Sequence, residues 1–231
     1  MKPISEVFHG DCMTFMAGCK DGQFELAVVD PPWGIDAGKK KKYHEGAFTE
    51  YAGKSWDENR PDGTYFSELF RVSKYQIIWG GNYFTEFLPP AKNWIVWDKA
   101  QPLGISLSMH ELAFCNAPGQ APIFRVTNGE NGNRCVVKSL AQKYLRIHPT
   151  QKPIRLYELC LTHFAKPGDK ILDTHLGSQS SRIAAYKLGF DFWGCEIDDD
   201  YVREGNARFE KEIAMPLFDP IPQPEQKLLF Q

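Results

Sequence analysis

The chain contains no C-x-x-C pair. Its six cysteines (Cys12, Cys19, Cys115, Cys135, Cys160, Cys195) are scattered along 231 residues, which argues against a ribbon-type zinc site or a thioredoxin-like redox motif and suits reduced, structural thiols in the cytoplasm. The six histidines likewise fall at no metal-ligand spacing, so no metal is expected. No stretch approaches the ~20 apolar residues of a membrane span, and the first residues carry no apolar signal run; a cytoplasmic protein without a membrane partner is the expectation. No G-x-G-x-x-G follows a strand-like run, so the usual fingerprint of hydride-transfer enzymes is missing. Charge of one sign is missing too. A formal net charge of −2 argues against sequence-blind phosphate binding over a whole face, while permitting a local basic groove. There is no internal repeat. Hydrophobic content of 42% and charged content of 24% are ordinary globular values, and the length suits one domain.

What is present is organised around Phe24 to Gly34. Leu26 to Val29 is a continuous, β-branched-rich apolar run, as expected of a strand buried on both faces. Asp30 follows directly, and Pro31 and Pro32 then end the strand, because neither supplies a backbone N–H. A carboxylate, two donor-free carbonyl positions and the plane of Trp33 therefore stand at a strand's C-terminal end, the edge where open α/β sheets bind ligands. A carboxylate and a carbonyl together can accept both hydrogens of an amino group, and an aromatic plane can stack on a base. A Pro-Pro turn with a packed tryptophan is the plainer alternative.

Other βα units recur along the chain. Ile4 to Phe8 suits a short strand, and Asp11 can cap the helical run Met13 to Met16. Tyr65, Phe66, Leu69 and Phe70 share one helical face within 61–70. The strand-like run Tyr75 to Trp79 ends in Gly80 and Gly81, which suit close backbone approach to a ligand; Asn82 and Tyr83 then become candidate base-pocket residues. Asn93 to Lys99 and Glu111 to Cys115 are further strands. Lys39, Lys40, Lys41 and Lys42 follow the Asp30 turn and are candidates for phosphate contact. Between about 116 and 146 periodicity fades into a polar, Gly/Asn-rich excursion with scattered basic residues, either a plain surface excursion or, if the protein reads a nucleic-acid sequence, its reader. Pro153 opens a helix through Ile154, Leu156, Leu159 and Cys160. Asp169 to Asp173, a turn containing Gly177 and Ser178, and the helix Ser181 to Leu188 form a cofactor cradle, with Asp173 available for an ammonium group. The next strand ends at Glu196, with Asp198 two residues on, where ribose hydroxyls are held in dinucleotide folds. Two acidic strand ends beside one cradle suit a cationic, ribose-bearing ligand better than a phosphate.

Asp30-Pro31-Pro32-Trp33 resembles the catalytic motif of the DNA amino-methyltransferases, and His148-Pro149-Thr150-Gln151-Lys152-Pro153 resembles the motif preceding the cofactor strand in their β-ordered subgroup. The resemblance covers nearly the whole chain. It implies a Rossmann-like α/β methyltransferase fold, with a mostly parallel seven-stranded sheet and one antiparallel strand. It also implies one domain over 1–214, with cofactor-binding part 148–214 and a Pro-rich tail over 215–231. S-adenosylmethionine is the implied cofactor, held by Asp11, Thr150, Lys152, Asp173, His175, Gly177, Ser178, Glu196 and Asp198. Double-stranded DNA is the implied substrate, in a restriction-modification or phage-like setting, and a homodimer is compatible with it. The Asp-Pro-Pro-Trp spelling leans towards adenine N6. Cytosine N4, RNA, and an inactive DNA- or clamp-binding module are the alternatives. His175 stands where the family commonly has phenylalanine, and Gln179 where it usually has glycine. A left-handed Gln179 would cost about 1 kcal/mol, so the loop is expected to avoid that conformation. The terminus Gln226-Lys227-Leu228-Leu229-Phe230 is similar to peptides that dock in the bacterial sliding clamp.

Overall fold

The computed structural model describes residues 2–35, 56–101, 108–127 and 147–214. Lys39 to Lys42, residues 128–146 of the expected sequence reader and the tail with Gln226 to Phe230 lie outside the described residues.

One sheet carries the fold. Its strands are β1 (Ser5–His9), β2 (Phe24–Val29), β3 (Ser73–Trp79), β4 (Asn93–Asp98), β5 (His110–Cys115), β6 (Ile123–Arg125), β7 (Lys170–Asp173) and β8 (Asp191–Glu196). Their order is β1-β8-β7-β2-β3-β5-β4-β6. Only β5 runs antiparallel to its neighbours, pairing Ile78 with Phe114 on β3 and Val96 with Leu112 on β4. The sheet has eight strands rather than the expected seven. The eighth is β6, three residues inside the stretch 116–146 that pair in parallel with β4 through Phe124 and Trp97.

Strands in the middle of the sheet are buried on both faces, and their side chains divide by parity. Leu26 and Val28 of β2, with Ile77 and Trp79 of β3, belong to one core, which α3 (Ile154–Phe164) and α4 (Ser180–Leu188) cover. Ala27, Val29 and Ile78 belong to the other, under α1 (Cys12–Ala17) and α2 (Gly63–Val72). Helix α2 starts at Gly63, two residues after the expected Pro61, because Asp62 accepts hydrogen bonds from the N–H groups of Thr64 and Tyr65. It then buries Tyr65, Phe66, Leu69 and Val72. Helix α5 (Asp199–Ala214) extends the α4 side, where Phe209 meets Tyr186 edge-on.

This order creates a switch point. From β7 the chain crosses through α4 to β8 on one side; from β2 it crosses through α2 to β3 on the other. Adjacent strands β7 and β2 therefore send their following turns apart, and a crevice opens between their C-terminal ends. Asp173 ends β7, and Asp30 follows β2.

The turn leaving β7 departs from expectation at Gln179, which is left-handed (φ 60°, ψ 26°). Hydrogen bonds offset the strain. Arg182 Nη1 donates to Gln179 Oε1 at 2.8 Å, and Gln179 Nε2 donates to Asn206 Oδ1 at 3.2 Å. Arg182 also reaches Ser5 and Asn206 and lies 3.8 Å over the Phe209 ring, so the turn after β7 is tied to β1 and α5. A bond to a charged group contributes about 1.5–3 kcal/mol, enough to outweigh the ~1 kcal/mol left-handed penalty. Gly205 makes room for this side chain: a Cβ there would stand 2.5 Å from Gln179 Nε2. Gly205→Ala should therefore lower the melting temperature by several degrees in wild type and by much less in a Gln179→Gly background. Equal losses in both backgrounds, measured by calorimetry, would show that Gln179 is not what Gly205 accommodates.

Candidate active site

A cavity of about 710 Å³ fills the switch-point crevice. It is lined by Asp30, Pro31, Pro32 and Trp33 from the turn after β2 and by Thr174, His175, Gly177 and Ser178 from the turn after β7. Asp11, Thr150, Lys152 and Glu196 complete the expected set that faces it. Residues from five separate parts of the sequence thus meet around one space.

The turn after β2 is fixed by a residue without a sequence signal. Buried Asp57 accepts hydrogen bonds from the backbone N–H groups of Trp33 (2.7 Å), Gly34 (3.0 Å) and Ile35 (3.3 Å). With two prolines supplying no N–H, this carboxylate takes the next donors in line. Trp33 is packed just as closely. A Cβ on Gly80 (φ +68°) would lie 2.1 Å from the indole nitrogen, and Tyr83 stacks on Trp33 with ring centroids 5.0 Å apart. This corrects two expectations. Gly80 admits the indole, and Gly81 admits Phe114, rather than a ligand. Tyr83 backs Trp33 and Asn82 is exposed on a short 3-10 turn, so neither lines the cavity. Trp97, Lys99, Gln101, Ser108 and Glu111, from the ends of β4 and β5, line it instead.

Lys152 also sits differently from expectation. Its ammonium donates to Asp30 Oδ2 at 2.5 Å and lies 5.0 Å over the Trp33 ring, so it serves the Asp30 turn as well as facing the cofactor side. Burial pushes the Asp30 carboxyl up from its ordinary value, and the neighbouring Lys152 charge opposes this. Burial would by itself lower Lys152; Asp30 and Glu111 outweigh it and hold the ammonium protonated.

Across the cavity, Glu196 accepts from the N–H groups of Gly177 (2.7 Å) and Asp198 (2.9 Å), which fixes its carboxylate at the end of β8. Gly177 passes under His148, where a Cβ would meet the imidazole at 3.3 Å. His148 in turn lies between Trp56 and Tyr201, at centroid distances of 4.8 and 4.5 Å. Asp11 caps α1 by accepting from Met13 N–H at 3.0 Å and also faces the cavity. His175 packs edge-on against Tyr65, and burial lowers its pKa to about 4, so it is a neutral imidazole at physiological pH. Two expected residues do not line the space. Asp198 caps α5, accepting from Asp200 and Tyr201 N–H. Asp173 turns into the fold, where it accepts from Ser181 Oγ (2.5 Å) and His175 N–H (3.0 Å).

Burial raises Asp173 to about 7. A raised carboxyl contributes stability that is complete below its unfolded value near 4 and is lost as pH rises through 7. Asp173→Asn should therefore gain melting temperature over wild type at pH 8 and little or nothing at pH 4. An equal difference at both pH values would contradict the buried, shifted carboxyl.

The comparisons agree with this geometry. A family model described as DNA methylase, of the N6/N4 type, matches residues 37–207, beginning just past the Asp30–Trp33 turn. The type II methyltransferase M1.MboII of Moraxella bovis is 23% identical over 254 residues, covering 89% of this chain and 96% of the relative. Among solved structures, the complex of M1.HpyAVI with SAM superposes with a TM-score of 0.57 at 16% identity, covering 91% of this chain and 99% of that one. The cytosine-N4-specific PvuII DNA methyltransferase superposes with a TM-score of 0.55 at 13% identity, over 92% and 93%. With its Asp30 turn and its β7 turn facing one crevice, and with the match spanning most of its length, this chain belongs to the N6/N4 DNA methylase family.

Proposed function

We propose that this protein transfers a methyl group from S-adenosylmethionine to an exocyclic amine of a base in double-stranded DNA, adenine N6 in the first place. The observation that carries this is the single cavity shared by the Asp30-Pro31-Pro32-Trp33 turn and the Glu196–Gly177 cradle. The cradle suits that cofactor: a fixed carboxylate at the end of β8 accepts hydroxyl donors, and His148 over Gly177 closes the turn without a side chain in between. Bound there, S-adenosylmethionine supplies an electrophilic methyl on a sulfonium.

The chain's own residues do the rest. A base acted on by an enzyme must leave the duplex stack. Trp33, backed by Tyr83, offers it an aromatic wall. Asp30 Oδ2 is engaged by Lys152, while among the described residues no hydrogen bond ends on Oδ1, which is the oxygen left for an amine hydrogen. A carbonyl at Pro31 takes the second hydrogen. Two acceptors below the amine favour a pyramidal nitrogen with its lone pair aimed at the electrophile, which stabilises the transition state. No covalent enzyme intermediate is needed. Cys12 and Cys195 both line the cavity; burial and Asp11 push the Cys12 thiol up to about 12, and burial raises Cys195 as well, so neither is a nucleophile at neutral pH.

Adenine rests on the Asp-Pro-Pro-Trp spelling. The fold does not separate the bases, since the cytosine-N4-specific relative superposes about as well as M1.HpyAVI. The test is transfer of labelled methyl to unmethylated duplex DNA followed by nucleoside analysis. N6-methyladenine is the expected product; N4-methylcytosine would reassign the base, and no transfer despite cofactor binding would overturn the proposal. Asp30→Ala should lower the rate by about 10²-fold or more while cofactor binding persists; a near-normal rate would contradict the role of Asp30. Changing Lys39, Lys40, Lys41 and Lys42 to Gln should flatten the salt dependence of DNA binding, each lost phosphate contact reducing the slope by about 0.9. An unchanged slope would remove these lysines from the interface.

A further inference from the structure

Four charges alternate in sign across the floor of the cavity. Lys99 Nζ lies 2.6 Å from Glu111 Oε1, Glu111 Oε2 lies 3.2 Å from Lys152 Nζ, and Lys152 Nζ lies 2.5 Å from Asp30 Oδ2. Lys99 follows β4, Glu111 stands on the antiparallel strand β5, Lys152 precedes α3, and Asp30 follows β2. The Lys152 side chain is only 3% exposed and that of Glu111 16%. The family match and the Asp30 turn assign no task to Glu111 or Lys99, yet burying an ion pair costs more than burying apolar groups of the same size unless every charge is compensated.

The arrangement suggests what the second carboxylate does. A buried ammonium facing Asp30 alone would form a tight neutral pair and draw the carboxylate's charge away from any substrate. Between two carboxylates, the same ammonium is hydrogen-bonded to Asp30 Oδ2 at 2.5 Å and is attracted to Glu111 from 3.2 Å on its other side, which fixes it on Oδ2 and away from Oδ1. We propose that Glu111 is a positioning residue for methyl transfer, holding the Lys152 ammonium in place on Asp30 Oδ2, so that Lys152 offsets the burial of Asp30 there and Oδ1 stays open for the substrate amine. This rests on the assignment of Asp30 as the amine's acceptor. Lys99 anchors Glu111 from the far side, and its ammonium also lies 5.1 Å over the Trp97 ring.

The electrostatics around Asp30 give the idea a signature that a merely structural clasp lacks. Asp30 is faced by Lys152, by Glu111 and by Asp57, with Asp173 at the end of the neighbouring strand. Removing Lys152 leaves Asp30 and Glu111 as two carboxylates with no cation between them, which favours the protonated acid. Removing Glu111 as well takes away the like charge and restores part of the loss. The two substitutions are therefore not additive.

The experiment is a double-mutant cycle with Glu111→Gln and Lys152→Met, read as single-turnover methyl transfer against pH. Glu111→Gln alone is expected to lower kcat about tenfold with little change in KM for DNA. Lys152→Met is expected to move the acid limb of the profile upward by about one pH unit or more, and the double variant to bring it part of the way back. A second readout needs neither cofactor nor activity: the ¹³C titration of the Asp30 carboxyl carbon, assigned from an Asp30→Asn spectrum. Its midpoint should run highest in Lys152→Met, intermediate in the double variant and lowest in wild type. Strict additivity, an Asp30 midpoint that is the same in all three proteins, or a Glu111→Gln protein with wild-type rate and profile would overturn the proposal. A wild-type protein that transfers no methyl group would instead remove the functional assignment, while the carboxyl titration would still decide the charge cluster.

Discussion

The candidate site is built on one carboxylate set at the end of a strand buried on both faces and paired with a buried ammonium. Asp30 follows four residues of apolar chain, so its surroundings disfavour the ionised form, and burial pushes its carboxyl up. A single buried ammonium answers this. Lys152 reaches Asp30 from the loop before α3, 122 residues away in sequence, and so clamps the turn after β2 to the segment that leads into α3. Much of the rest follows from that contact. The loop that carries Lys152 is held down where Ser180 Oγ donates to the Lys152 carbonyl at 2.8 Å, and Arg208 holds the turn after β7 by donating to Ser178 O and Ser180 Oγ.

The second constraint is the geometry of the switch point. Strands β7 and β2 lie side by side, and their turns leave in opposite directions, so a crevice exists before any side chain is chosen. Two turns with unusual backbone requirements then furnish it. The turn after β2 contains two prolines and gives its next three N–H groups to Asp57. The turn after β7 contains left-handed Gln179, held by Arg182 and Asn206. Strain in the one and missing donors in the other are compensated by side chains from distant segments, which is how such turns persist.

The elements legible in the sequence were those with local signals. Leu26 to Val29 read as a buried strand because every position is apolar, and Asp30 to Trp33 read as a site because prolines end a strand in only a few ways. Glu196 and Gly177 likewise stood out at a strand end and a turn. What was hidden depended on partners far along the chain. Lys152 precedes the cofactor strand, so its sequence neighbours pointed to the cofactor, whereas its long side chain reaches Asp30. Glu111 is the second residue of β5, half-buried after an exposed His110, and no periodicity marks it as one member of a charge cluster. Gln179 tolerates its backbone only because Gly205 and Asn206, on a later helix, leave space and supply a partner. Strand β6 is three residues long, below the length at which alternation can be recognised.

The most direct test of the account is a crystal structure with S-adenosylhomocysteine and a DNA duplex carrying the target site. The account predicts a flipped base on Trp33, its amine nitrogen within hydrogen-bonding distance of Asp30 Oδ1, and Lys152 still bound to Oδ2 between Asp30 and Glu111. A base amine held away from Asp30, or a Lys152 side chain that has left Asp30 for the cofactor, would contradict it.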